Sequence, residues 1–179
     1  MNHNYPNLNN IKIGDLVLFK PSIDKENLTL LQSNKSFDFD KKTPVLLILS
    51  IKLENNNTRK ACCTWYNMQE GKFEEKWLRL TLLYKIPSSS ELSQIKVNES
   101  VVIKTYAFYQ QQNQLSEVSF CPPKMVVTYF GVTEKQDKNT SNKQSKIVSN
   151  KLIKCMWYNT VRKTFSEKVF PIEALQVIE

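Results

Sequence analysis

Histidine is almost absent from this chain: the one copy is His3, in an N-terminal segment (1–10) that reads as disordered. A hydrolase or transferase of the Ser–His or Cys–His kind needs a positioned imidazole base, so neither pair can be assembled here. Glycine is scarce too, and Gly14, Gly71 and Gly131 stand alone. Loops that cradle phosphate need clustered glycines for close backbone approach, which removes that class. The four cysteines, Cys62, Cys63, Cys121 and Cys155, show no C-x-x-C spacing. With one histidine they cannot build the usual zinc set, and they read as reduced thiols, with no metal or cofactor expected. No run of about 18 apolar residues occurs. The start MNHNYPNLNN has neither a basic nor an apolar leader region, so the sequence reads as a cytoplasmic protein without membrane contact. No set of residues meets the requirements of a catalytic site, and the expectation is a non-enzymatic protein.

What is present suits one medium domain or two small ones: 179 residues, 41% of them apolar and 23% charged, enough to fill a core. The formal charge of +8 divides evenly, as 13 basic minus 9 acidic residues over 1–88 and 12 minus 8 over 89–179. A diffuse basic excess is compatible with a polyanionic partner without specifying one.

The chain resembles itself. At an offset of 92, residues 63–86 (CTWYNMQEGKFEEKWLRLTLLYKI) align without a gap to 155–178 (CMWYNTVRKTFSEKVFPIEALQVI), with nine identities in 24 positions. Upstream, IKIGDLVLFK (11–20) matches IKVNESVVIK (95–104) at an offset of 84, and the run from Pro44 matches that from Pro123 at an offset of 79. Shifting offsets mean loops of different length between equivalent segments, so the chain reads as two copies of one unit.

Each copy reads as strands. The opening segments combine β-branched residues with a turn-prone Gly-Asp or Asn-Glu, and the runs VLLILSIKL and MVVTYFGV are short and β-rich. Along CxWYN the side chains alternate, placing Cys63 and Trp65, or Cys155 and Trp157, in the core with Phe73 or Phe165 from the following strand. Cys62, Thr64 and Tyr66 then point outward, as does Tyr158. Each copy closes with one helical turn, at LTLL or PIEAL, and a last short strand. The expected fold is all-β, two tandem SH3-like (Tudor/KOW-like) small barrels of about five strands each. Copy one spans 11–86 and copy two 95–179, joined by a Pro/Ser-rich linker at 87–94, with a mobile lysine-rich insertion at 134–150.

The order P-K-M-V-V-T from Pro123, then I-K-C-M-W-Y-N, then F-S-E-K-V-F-P-I-E-A-L resembles the small bacterial YodC-like (DUF2158) proteins, over about 122–178 and more weakly over 43–86. That resemblance implies a small β-barrel. The family has no established activity, so it supplies no catalytic residue.

Two partner classes follow from the surface residues. A nucleic-acid module would take phosphate contacts from Lys135, Lys138, Lys143, Lys146, Lys154, Lys76 and Lys168, with stacking from Tyr66 or Tyr158. A protein-interaction adaptor or inhibitor would use the groove between barrels or an exposed strand edge. A small-ligand sensor binding between the copies is a third reading.

Overall fold

In this computed structural model the described residues are 10–20, 43–54, 57–87, 94–131, 146–147, 149 and 151–178. The strands are β1 (Leu16–Phe19), β2 (Leu46–Leu53), β3 (Arg59–Asn67), β4 (Lys72–Arg79), β5 (Leu83–Lys85), β6 (Ser100–Ile103), β7 (Met125–Phe130), β8 (Lys146–Ile147), β9 (Leu152–Asn159), β10 (Thr164–Pro171) and β11 (Leu175–Val177). A helix, α1 (Lys104–Gln111), follows β6, and single 3-10 turns at Leu80–Leu82 and Ile172–Ala174 precede β5 and β11. The architecture is mainly β: two antiparallel sheets ordered β4-β3-β2-β1-β5 and β10-β9-β7-β6-β11, with β8 added to β2. Among the described residues no ladder joins β4 to β5 or β10 to β11, so both sheets are open by their pairings, where the sequence reading expected closed barrels.

Equivalent hydrogen bonds recur in the two halves. Gly14 N–H donates to the Ile48 carbonyl at 2.8 Å, and Asn98 N–H to that of Val127 at 2.9 Å. Asp15 and Glu99 each accept, through a side-chain oxygen, the backbone N–H three residues upstream at 2.7 Å. The first positions need a left-handed backbone: φ is +81° at Gly14 and +67° at Asn98, where asparagine tolerates what most side chains do not. In both β2 and β7 the register slips at the same place, between Ile48 and Ser50 and between Val127 and Tyr129.

The asparagine of CxWYN has a role that alternation does not reveal. Asn67 Oδ1 accepts the N–H groups of Gln69 and Glu70, and Asn159 Oδ1 those of Val161 and Arg162, closing the β3–β4 and β9–β10 turns. This fixes each hairpin register so that Phe73 lies opposite Tyr66 and Phe165 opposite Tyr158.

The central strands of the first sheet, β1 to β3, are buried on both faces along most of their length, while β4 at the edge stays partly in solvent. Val17, Leu46, Ile48, Ala61, Cys63 and Leu83 form one cluster on the sheet's inner face, with Trp65 and Leu78 packed against it. On the outer face, Leu16, Leu18, Val45, Leu47, Tyr84 and Ile86 join Val101, Met125, Ile153, Cys155, Trp157 and Phe170 of the second half in a single larger core. The inner face of the second sheet therefore packs on the outer face of the first. The α1 helix helps close this seam: Val45 N–H donates to the buried Tyr109 hydroxyl at 2.9 Å. No helix among the described residues is long and apolar enough to cross a membrane.

Three expectations change here. Tyr66, read as outward, is buried because the second half covers it, and Cys62 and Thr64 are buried on the same strand. Phe165, read as core, is 64% exposed, because its register puts it beside Tyr158 while Ser166, Lys168 and Phe170 take the inward positions. Phe73, Phe165's counterpart, faces the seam and is half-buried. The insertion expected at 134–150 lies mostly outside the described residues; of it, Lys146–Ile147 pairs antiparallel with Ile51 and Lys52 of β2.

Burial pushes the Cys63 and Cys155 thiols up to about 12, with the neighbouring Cys62 adding to the shift at Cys63. Both thiols are raised in the folded state, so an unfolded chain ionises first, and their stabilising contribution is present below the ordinary thiol value and lost as pH rises through the folded one. Stability measured by urea titration is therefore expected to decline between about pH 9 and pH 12. A Cys63→Ala/Cys155→Ala double variant should show a shallower decline. An identical slope would mean that these thiols do not carry the effect.

Candidate functional site

Four of the large apolar side chains that stay in solvent lie on one surface, the outer face of the second sheet. They are Val126 and Tyr129 on β7, Tyr158 on β9 and Phe165 on β10, exposed by 39%, 60%, 53% and 64%. Register places them together: Val126 is opposite Met156, Tyr129 opposite Lys154, and Phe165 opposite Tyr158. The Tyr158 and Phe165 rings meet edge to face, with centroids 5.4 Å apart. Lys154 and Glu167 pair across the same face. An apolar patch framed by paired charges is the usual composition of a protein-binding surface.

The equivalent face of the first sheet shows what such a surface can receive. Tyr66 and Phe73, at the positions of Tyr158 and Phe165, also meet edge to face, at 4.9 Å. There the pair is covered: Phe73 packs edge-on against Trp157 at 5.3 Å and Phe170 at 5.1 Å. Lys168 bonds Glu75 across the seam, its ammonium 5.8 Å from the Phe73 ring centroid and 5.9 Å from that of Phe170. Asn159 Nδ2 donates to the Gly71 carbonyl, and a Cβ at Gly71 would overlap the Asn159 side chain, so this corner requires glycine. Burial raises the Tyr66 phenol. The Trp157 indole N–H faces that phenol without reaching hydrogen-bond geometry and has no partner among the described residues.

At the mouth of the seam lies a cleft of about 340 Å³, lined by Gly71, Phe73, Trp157, Arg162, Ser166 and Lys168 among others. Its charges are largely matched. Lys72, which also lines it, pairs with Glu70 and Glu74, holding the Lys72 ammonium above the usual range and the Glu70 carboxyl below it.

Of the residues singled out from sequence, the structure gathers Tyr66, Phe73, Trp157 and Lys168 at the seam and Tyr158, Phe165 and Lys154 on the outer face. Cys63 and Cys155 are fully buried and Trp65 is half-buried, all on inner faces. Lys76 is exposed on β4. Lys146 lies at the register position opposite Lys52 on β2, while Lys135, Lys138 and Lys143 fall outside the described residues. Val126 and Tyr129 were missed by the sequence reading. The slip in β7 after Val127 puts both on one face, and an unbroken alternation would separate them. Among the described residues no group of three or more His, Cys, Asp or Glu side chains could hold a metal ion. Comparison of the chain with family models, with curated proteins and with solved structures gives no match.

Proposed function

We propose that this protein is a non-enzymatic protein-interaction module built from two copies of one SH3-like unit, and that it binds through the outer face of its second sheet. The duplication reading is supported by the recurring turn bonds, left-handed positions and register slips at the offsets found in the sequence. The likeness to YodC-like proteins rests on the same segments. One observation carries the binding reading: the aromatic pair covered by the second half at Tyr66 and Phe73 has its counterpart, Tyr158 and Phe165, in solvent. The nucleic-acid reading gains less support, because Lys154 and Lys168 are neutralised by Glu167 and Glu75. Phosphate contacts need uncompensated cations.

The test is retention of a protein partner by the immobilised full chain in moderate salt, compared between wild type and Phe165→Ser. Loss of the partner in the variant, with thermal unfolding unchanged, supports the reading. Unchanged retention removes this face from the function. Steeply salt-dependent binding to labelled RNA or DNA, unaffected by Phe165→Ser, would favour the nucleic-acid reading instead.

A further inference from the structure

The contact between the halves is heterologous: the outer face of the first sheet receives the inner face of the second. A heterologous contact leaves one unused surface at each end. At one end is the outer face of the second half, with Tyr158, Phe165 and Glu167. At the other is the inner side of the β3–β4 hairpin, with Trp65, Asn67, Lys76 and Leu78. These four stand at the positions of Trp157, Asn159, Lys168 and Phe170, the residues that dock the second half onto the first. Trp65 and Leu78 are half-buried rather than enclosed, and Lys76 is exposed with no ion pair to any described residue.

We propose that a second copy of this chain occupies the exposed face, docking its β3–β4 hairpin on the first chain's β9–β10 hairpin and so repeating between chains the contact made within each. This deepens the protein-binding reading above and rests on it. Charge favours the match. Glu75 holds Lys168 inside the chain, and the equivalent pair between chains is Glu167 with Lys76 of the second copy, Lys154 giving up its hold on Glu167. The aromatic fit is of the same kind, with Trp65 of the second copy edge to face with Phe165 as Trp157 is with Phe73. One corner differs. Lys163 stands where Gly71 admits Asn159, with the same left-handed backbone, φ +53° against +62°. Its side chain props that corner open, so association is weak and concentration-dependent. Because the contact is heterologous, it propagates along a row or closes into a ring instead of stopping at a symmetric dimer.

Sedimentation velocity over a wide concentration range tests this. The expected result is an average mass that rises above the monomer with concentration in wild type and stays monomeric in Lys76→Glu and in Glu167→Lys. Mixing those two variants restores the rise, because each supplies the charge the other lacks. Lys163→Gly, which recreates the glycine corner, is expected to tighten association by about tenfold. Thermal unfolding of each variant checks that these surface changes leave the fold intact. A monomer at every concentration, or self-association indifferent to the charge exchange, overturns the inference. A monomer that nevertheless loses a cellular partner on Phe165→Ser leaves the protein-binding reading standing and removes only the second copy as its occupant.

Discussion

Replacing Phe170 by alanine is expected to lower the free energy of unfolding by about 3–5 kcal/mol, the range for truncating a fully buried phenylalanine. Phe170 has no exposed surface, and it meets Phe73 of the first half edge to face, so its loss opens a cavity in the core that crosses the seam. Such a core couples the halves. Urea unfolding followed by tryptophan fluorescence should show one transition that moves as a whole. Phe165→Ala, on the solvent face of the same strand, should change stability by no more than about 0.5 kcal/mol. Two transitions in Phe170→Ala, with only one of them shifted, would show that the halves unfold independently.

The second large effect is expected at Gly14. Its φ of +81° already disfavours any L side chain, by about 1–2 kcal/mol. In addition, a Cβ there would overlap the backbone carbonyl of Glu173, the central residue of the Ile172–Ala174 3-10 turn, which cannot rotate away as a side chain could. Gly14→Ala must therefore displace backbone across the seam, for a total of about 3 kcal/mol or more. Asn98 isolates the second term, because it shares the left-handed backbone at the equivalent place in the second half. Asn98→Ala is expected to cost only about 1 kcal/mol. Equal losses in the two variants would mean that the approach of Glu173 to Gly14 contributes nothing.

Much of the strand plan was legible because it is written in local pattern. Alternation along CxWYN, β-branched runs and turn-prone pairs are properties of neighbouring residues; β1, β2, β6 and β7 fall within the segments read from them, and β3 and β9 contain the CxWYN segments and extend beyond their starts. Helix α1 was not legible. Its eight residues, KTYAFYQQ, bury only Thr105 and Tyr109, and no side chain caps its start. So short a helix is held by tertiary contact, here through the seam at Val45, and leaves no strong periodic trace.

The candidate site was legible in fragments. Tyr158 was picked out by parity, but its ring partner Phe165 was assigned to the core, because the register of the β9–β10 hairpin is set by the Asn159 turn. Counting back from that asparagine would have placed Phe165 opposite Tyr158. Tyr66 shows the complementary error. Parity correctly put it on the outer face, yet that face is buried, since alternation specifies a side of a sheet and says nothing of what later covers it.

The sequence by itself determined the two sets of matching segments, most of their strands and the place of the turns between them, all of which depend on residue type and short-range spacing. Only the tertiary structure decided that the inner face of one half packs on the outer face of the other. That docking sets which of two equivalent aromatic pairs is core and which is surface. The physical reason is that the matching segments of the two halves carry similar local signals, so nothing within either can state which will be covered; the difference arises from the order in which one chain stacks them.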